Sequence, residues 1–408
     1  MSSTTYAYKV REKSGRLVEG SLEADNEQLL VAKLRSMGYT PIDITAQKSE
    51  TLSKDVKIPG LSRSKTKLKD VAVFSRQFAT MINSGLSLLR ALYILGDQTE
   101  NKLLASVITQ VRTDVETGSS LSVALGKHPK TFNRLYVSMV KAGEVGGSLD
   151  EVLLRLAETI EKQVELRRKV RSAMTYPVVV AVLVIGIVTA MLLFVIPMFK
   201  DLYTQLGGEL PAPTQFLINV STFVRNFWYV MFGVEIGAVV GFRRWINTDS
   251  GREKWDAIKL RAPVFGPLVR KTALARFSRT LAALVRSGVP ILESLDIVAD
   301  TSGNSVVAKA VRDAQTAVKQ GEPLAQRLEQ HPVFPPMVTQ MMAVGEETGA
   351  VDEMLDKIAD FYDQEIEATV AALTSLIEPL LIVVMGAAVG GMVISLYLPM
   401  FNIIKLIQ

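Results

Sequence analysis

The sequence has no cysteine and only two histidines among its 408 residues. Without cysteine there are no disulfide bonds, no thiolate metal sites and no cysteine nucleophile. The chain also lacks a Gly-x-x-x-x-Gly-Lys-Ser/Thr phosphate loop and a Gly-x-Ser-x-Gly motif, so ATP hydrolysis and serine hydrolase chemistry are not predicted. We therefore expect no enzymatic activity, no cofactor and no bound metal.

Apolar residues are abundant, at 48% of the chain, and two long apolar runs organise it. The first, 177–196, contains no charged residue and is followed by Pro197-Met198-Phe199. The second, 379–398, is also uncharged and is followed by the same tripeptide, Pro399-Met400-Phe401. A helix rises about 1.5 Å per residue, so each run is long enough to cross a hydrocarbon core about 30 Å thick.

The basic residues indicate membrane topology rather than nucleic acid binding. Five of them lie between Lys162 and Arg171, directly before the first apolar run. Such an excess marks a cytoplasmic flank. A further apolar stretch, 216–242, is followed by Arg243 and Arg244, which returns the chain to the cytoplasm. We expect an external loop before this stretch, an external C-terminus, and a cytoplasmic N-terminus.

The sequence repeats itself around these spans. Motifs of the first half recur about 200 residues later in the same order, which indicates a duplicated helical bundle ending in a spanning helix. The middle span has no counterpart and lets both bundles face the cytoplasm. The offset is 203 for Phe74-Ser75-Arg76 with Phe277-Ser278-Arg279 and for His128-Pro129 with His331-Pro332, and 202 for Gly143-Glu144 with Gly345-Glu346, Pro177 with Pro379, and Pro197 with Pro399.

These patterns predict an all-α integral membrane protein with two repeated cytoplasmic bundles, three transmembrane helices and a small α+β N-terminal unit. Apolar residues at helical spacing support the bundles, and alternating residues followed by a helical stretch support the N-terminal unit. The predicted segments are the N-terminal unit 1–46, a linker 47–66, the first bundle 67–170, the first span 174–197, the external loop 198–215, the second span 216–242, a cytoplasmic linker 243–270, the second bundle 271–375, the third span 377–400 and the external C-terminus 401–408.

Several of these motifs together resemble the type II secretion F-protein and type IV pilus platform family. The resemblance covers about residues 67–408, and the small N-terminal unit is also usual in the family. The motifs are the two Gly-Glu pairs, Pro263-Val264-Phe265-Gly266-Pro267, Leu210-Pro211-x-Pro213-Thr214, and Ile377-Glu378-Pro379 with Tyr397-Leu398-Pro399.

The resemblance implies a multi-pass protein of the bacterial inner membrane. It implies a platform that couples a cytoplasmic hexameric ATPase to the polymerisation of pilins or pseudopilins. The partners it implies are that ATPase, the pilin or pseudopilin subunits, other inner-membrane assembly proteins, membrane lipid and further copies of the chain, without nucleic acid. The alternative from another class is a small transporter, since transporters also use internal repeats.

The duplicated glutamates Glu144 and Glu346 are the first candidate functional residues. We expect Gly143 and Gly345 to end one helix and the glutamates to favour the N-terminus of the next. The alternatives are a divalent cation site completed by Asp150 or Asp352, and contact with a partner protein.

Other candidates lie on the first helix of each bundle and in the spans. Arg76 and Arg279 should pair with an acid in their own bundle or face the ATPase. Glu235 lies inside the second apolar stretch, where an ionisable group is costly and is a candidate for function or assembly. Pro177 and Pro379 open the first and third spans, and Glu378 should complement the N-terminus of the last spanning helix.

The segments entering the membrane carry opposite charge. Between Lys162 and Arg171 only Glu165 opposes five bases, whereas only Lys357 opposes seven acids between Asp352 and Glu367. The simple interpretation is that the first flank sets topology. The sharper hypothesis is that the two segments pair, either between subunits or within one chain. Charge reversal of Arg167 and Arg168, with and without compensating reversal of Asp360 and Asp363, would test this pairing.

Overall fold

A computed structural model describes residues 4–11, 17–24, 27–36, 38–47, 66–198 and 212–406. Most of these residues are helical, which confirms the predicted fold class. The chain divides into two units, Met1–Ser64 and Lys65–Gln408. Residues 48–65 of the predicted linker and 199–211 of the predicted external loop lie outside the described residues, so both stay predictions. Residues 212–215, predicted as the end of the loop, already belong to a helix.

The first unit is a three-stranded antiparallel sheet with one helix. The strands pair in the order β2-β1-β3. Its small core joins Val10 of the central strand to Leu30 and Leu34 of the helix. The elements are β1 (Thr4–Arg11), β2 (Leu17–Ala24), α1 (Glu27–Ser36) and β3 (Thr40–Gln47).

The second unit begins with a bundle whose last helix is much longer than the others. Each of its helices places an apolar face on a common core, as the sequence spacing predicts. Phe78 of the first helix is fully buried, for example, and stacks on Phe74 with ring centroids 5.5 Å apart. The helices are α2 (Leu68–Asn83), α3 (Leu88–Gln98), α4 (Lys102–Glu116), α5 (Leu121–Gly126), α6 (Arg134–Gly146) and α7 (Leu149–Ala190).

The same succession of helices follows in the second half of the unit. Two further helices come first, α8 (Ala212–Ile246) and α9 (Asp249–Arg261), so part of the predicted linker 243–270 is helical. The offsets between the two sets match those between the sequence motifs, which confirms the duplication. The second set is α10 (Gly266–Arg286), α11 (Ile291–Thr301), α12 (Ser305–Lys319), α13 (Leu324–Glu329), α14 (Pro336–Thr348) and α15 (Val351–Leu406).

The two bundles pack against each other in one continuous hydrophobic core. Ion pairs add to this contact, because Arg134 on α6 binds both Asp296 and Asp300 on α11. Arg155 on α7 also donates to the backbone carbonyl of Arg286, at 2.7 Å. The bundles therefore form one body.

Three helices are long and apolar enough to cross a membrane, as predicted: Leu149–Met198, Thr214–Ile246 and Val351–Ser395. The first and third are the last helices of the two bundles, so each bundle continues into its span without a break. No helix boundary marks residues 174 or 377. The depth at which the membrane begins therefore stays a prediction.

Candidate functional site

The first helix of each bundle packs against its long last helix, α7 or α15, and charged residues singled out in the sequence lie at this contact. We call it the junction and define it by two sets of three residues. In the first bundle these are Arg76, Glu161 and Lys169, and in the second they are Arg279, Asp363 and Glu367.

Arg76 ties the first helix of its bundle to the long helix. Its Nε donates to Oε1 of Glu161 at 2.7 Å, and its Nη2 donates to the other carboxylate oxygen. A bidentate pair of this kind fixes orientation as well as charge. The sequence left open whether Arg76 pairs with an acid of its own bundle or faces the ATPase, and the structure shows the pair within the bundle.

Arg279 makes the equivalent link in the second bundle. Its two terminal nitrogens donate to the two oxygens of Asp363, at 3.2 and 2.7 Å, and Nη2 also lies 3.5 Å from Asp360. Asp363 lies 202 residues after Glu161, so the duplication has preserved the link. The side chain of Arg279 is only 11% exposed, compared with 37% for Arg76, so the second link is better shielded from water.

The long helices also contact each other directly. Lys169 on α7 binds Glu367 on α15, and it binds Glu165 one turn earlier on its own helix, at 3.0 Å. Opposite charges therefore meet between the two membrane-entry segments within one chain.

The partners proposed from the sequence were wrong in detail. Asp360 and Asp363 face Arg279, and none of the described contacts joins them to Arg167 or Arg168. A compensating reversal of those four charges would break the Arg279 link instead of testing the pairing of the helices.

Glu144 and Glu346 lie inside α6 and α14 and not at the N-terminus of the following helix, which corrects their predicted position. The two carboxylate oxygens of Glu346 accept from the backbone N–H groups of Leu324 and Ala325, at 2.8 and 2.9 Å. Those groups are unsatisfied within helix α13, whose first turn they form. Glu144 binds Leu121 and Ser122 at the start of α5 in the same way.

Each glutamate therefore caps the preceding short helix, whereas the sequence predicted a role at the following one. The reason is tertiary, because α5 and α13 fold back beside α6 and α14. Among the described residues, no group of three acidic or histidine side chains is arranged to hold a metal ion.

Gly143 and Gly345 serve close packing and do not end their helices. A Cβ at Gly143 would lie 3.1 Å from Cβ of Val152, and one at Gly345 would lie 3.0 Å from Cα of Val351. The helix ends are formed by Gly147 and Gly349, which have φ values of +67° and +74°. This left-handed conformation suits glycine.

The candidates in the spans are placed differently. Pro177 and Pro379 lie inside continuous helices, where each removes one backbone hydrogen bond. Glu378 is therefore also in a helix interior, and its predicted role at a helix N-terminus was wrong. Glu235 is exposed on α8, and no described residue binds its carboxylate.

Two hydroxyl contacts between the spans could not be predicted from the sequence. Ser221 on α8 donates to the carbonyl of Leu192, within a π-helical segment, Met191–Val195, that continues α7. Thr214, also on α8, donates to the carbonyl of Ser395 on α15. Serine and threonine are common in apolar helices, and only the fold shows which hydroxyls reach another span.

The two histidines do not occupy equivalent surroundings. His331 Nε2 lies 2.8 Å from Asp313, which also binds Arg327 at 2.8 Å. The hydrogen bonds from Arg327 and then His331 lower the pKa of Asp313 to about 2. In the first bundle Gln110 stands in place of Asp313, and Nε2 of His128 is buried without a partner among the described residues.

Comparison with protein families matches most of the chain. A model described as type II secretion system (T2SS), protein F matches twice, over residues 74–197 and 277–399. A second model, type II secretion system protein F, N-terminal domain, matches residues 1–45. The double match coincides with the two bundles and their spans.

Similar proteins of two kinds extend over the whole chain. The type IV pilus assembly protein PilC of Thermus thermophilus is 50% identical over 98% of this chain and 98% of its own length. PilC of Myxococcus xanthus is 42% identical over 100% of this chain and 97% of its own length. The type II secretion system protein F of Pseudomonas aeruginosa is 34% identical over 98% of this chain and 99% of its own length.

Proposed function

The chain belongs to the type II secretion system protein F family, and we propose from this that it is the inner-membrane platform protein of a type IV pilus machine. In that role it couples a cytoplasmic hexameric ATPase to the polymerisation of pilin subunits. The protein itself contributes binding and force transmission, without catalysis.

The continuity of α7 and α15 is the observation that carries this proposal. Each helix begins in a folded bundle and continues into an apolar run. Arg76 and Arg279 tie these helices to the first helix of each bundle, and Lys169 ties them to each other through Glu367. A displacement of the bundles is therefore carried into the membrane along two helices without an intervening loop.

The pilus machine is favoured over the secretion machine by sequence similarity. Identity is 50% and 42% to the PilC proteins of Thermus thermophilus and Myxococcus xanthus. In Pseudomonas aeruginosa it is 36% to PilC and 34% to the secretion protein F. These relatives are matched over similar lengths, so the difference reflects divergence and not coverage.

We place the partners by the predicted topology. Both bundles and the N-terminus face the cytoplasm, where the ATPase binds, and the C-terminus is external. Pilin subunits and other inner-membrane assembly proteins contact the spans, and further copies of the chain complete the platform. Glu235 is a candidate for such a contact, because α8 presents it outside the packed face formed by Thr214, Ile218 and Ser221.

The transporter alternative has less support. Transport sites are built near the midplane from interrupted helices that carry polar groups. Here α15 is continuous throughout its apolar run, and that run is uncharged. Much of the chain also lies in the two bundles.

Deletion of the gene from its own organism separates the two functions. We expect surface filaments to disappear and to return when the gene is restored, with solute uptake unchanged. Normal filaments with impaired uptake of a solute would favour the transporter. Normal filaments with impaired protein secretion would assign the platform to a type II secretion machine.

A further inference from the structure

A cavity of about 410 Å³ lies between α7, α10 and the loop that joins α11 to α12. Four arginines line it: Arg167 and Arg171 on α7, and Arg276 and Arg279 on α10. None of the described residues lining the cavity is acidic. The cavity therefore concentrates positive charge in a partly enclosed space.

Only one of these arginines has a carboxylate partner in the described part of the chain. Arg279 binds Asp363 and Asp360, whereas the guanidinium groups of Arg167, Arg171 and Arg276 have no ion pair or hydrogen bond among the described residues. Arg276 is the most enclosed of the three, and burial, followed by the charge of Arg167, lowers its pKa. Arg276 is partly buried, and a partly buried guanidinium without a counter-charge is stabilised when an anion completes the site.

The first bundle has a hydrogen bond between an amide and a carboxylate that is missing at the equivalent position beside the cavity. In the first bundle the amide nitrogen of Asn101 donates to Asp70 at 2.6 Å. The equivalent residues are Asn304 and Ala273, which both line the cavity. Asn304 is 97% buried, since only 3% of it is exposed, and its Nδ2 has no acceptor among the described residues.

The loop is shaped to admit Arg276. Gly303 has a φ of +75°, and a Cβ on it would lie 2.3 Å from Nη1 of Arg276. The equivalent positions in the first bundle are Glu100 and Val73, so neither the arginine nor the glycine is shared by both repeats. The second bundle alone combines an enclosed arginine, an unpaired amide donor and a space next to both.

The rest of the lining is apolar and adjoins a span. Leu166, Val170 and Met174 lie on α7, which continues directly into the apolar run from Pro177. The six residues from Arg171 to Pro177 rise about 9 Å along a helix, within reach of a headgroup layer. Apolar walls beside basic groups at the cytoplasmic membrane surface fit a phospholipid better than a free ion.

We propose that this cavity binds the phosphate of an anionic phospholipid, with Arg276 and Asn304 as the enclosed donors and Arg167 and Arg171 at its entrance. The acyl chains would lie along the apolar wall formed by α7. A lipid held there would join the second bundle to the first long helix at the membrane surface.

The test uses the full-length protein purified in detergent and titrated with phosphatidylglycerol, phosphatidylcholine or inorganic phosphate. Bound lipid is counted by native mass spectrometry, and ligand stabilisation is read from the unfolding temperature. We expect selective retention of phosphatidylglycerol. Arg276→Gln should weaken its binding about tenfold or more, because a charge-assisted contact is lost, and Arg168→Gln is the matched control, with the same charge change on α7 outside the cavity.

Two variants test the site in other ways, one by adding a carboxylate to the cavity and one by removing its enclosed charge. Ala273→Asp should restore the carboxylate–amide pair of the first bundle, keep the fold and abolish phosphatidylglycerol retention. Arg276→Gln should unfold at a higher temperature than the unaltered protein when lipid is absent, because a partly buried, unpaired charge is removed.

Equal retention of phosphatidylglycerol by Arg276→Gln and Arg168→Gln would overturn the proposal, as would equal retention of phosphatidylcholine. Binding of inorganic phosphate as tight as that of phosphatidylglycerol would assign the cavity to a soluble phosphate and would also overturn it. A lower unfolding temperature of lipid-free Arg276→Gln would show that the guanidinium already has a protein partner.

Discussion

Single side chains hold the two bundles in shape by binding backbone groups far away in the sequence. Glu346 supplies both carboxylate oxygens to the first turn of α13. Pro323, the residue before that helix, has no side chain able to cap it. The acid therefore replaces a local cap with a tertiary one.

Replacing Glu346 by Gln should destabilise the protein by about 1–3 kcal/mol, since one charged acceptor of two N–H bonds is lost. The adjacent Glu347→Gln is the control, because Glu347 is exposed and makes no cap. Chemical denaturation of the purified protein measures both. Equal free energies of unfolding for the two variants would show that the cap contributes nothing.

Asp313 makes part of the stability depend on pH. Its pKa falls from 3.8 to about 2 in the folded protein, so its contribution is fully present above pH 4 and is lost as the pH falls toward 2. Asp313→Asn should remove this loss between pH 4 and 2. The measurement is the free energy of unfolding against pH, and an unchanged slope in the variant would contradict the assignment.

For single residues, the sequence predicts which side chains are important, but it does not predict which groups they bind. The duplication singled out Arg76, Arg279, Glu144 and Glu346, and all four make equivalent contacts in the two bundles. Their partners lie more than 20 residues away. Local patterns do not show which distant groups the fold brings within reach.

Among the helices, the two arginine links provide an internal comparison. Both join the first helix of a bundle to its long helix, but Arg279 is the less exposed of the two. A shielded charge-assisted hydrogen bond contributes more than an exposed ion pair.

Arg279→Gln should therefore lower the free energy of unfolding by about 1.5–3 kcal/mol, whereas Arg76→Gln should lower it by about 1 kcal/mol or less. Urea titration of each purified variant gives the two values. A larger loss in Arg76→Gln would contradict the ranking by exposure.

The helices themselves were largely predictable, because apolar spacing and glycine stops mark them. The repeat offset by itself identifies which helices of the two bundles are equivalent. Two features were not predictable. The π-helical segment Met191–Val195 lies in a uniformly apolar run that has no local signal. Helix α9 lies within the predicted linker 243–270.

The whole molecule has no cysteine, so single introduced cysteines can report its topology. Thr117→Cys and Gln320→Cys lie at equivalent exposed ends of α4 and α12. Gly207→Cys lies in the predicted external loop. In spheroplasts a membrane-impermeant maleimide should label only Gly207→Cys, and all three should react after lysis. Labelling of either bundle in intact spheroplasts would contradict the proposed orientation.

In the proposed coupling, unbroken helices carry motion from the bundles into the membrane. Ser172, Thr175 and Tyr176 are exposed on α7 just before Pro177. Changing all three to glycine should lower the stability of the helix by about 1 kcal/mol per residue relative to alanine. The corresponding triple alanine variant removes the same side chains but keeps the helix stiff.

The most direct test is to count surface filaments in cells that carry either variant at equal levels in the membrane. We predict normal or nearly normal filament numbers for the triple alanine variant. For the triple glycine variant we predict a loss of filaments of about tenfold or more. Equal filament numbers in the two strains would show that a stiff α7 is not required for coupling, and would contradict force transmission along this helix.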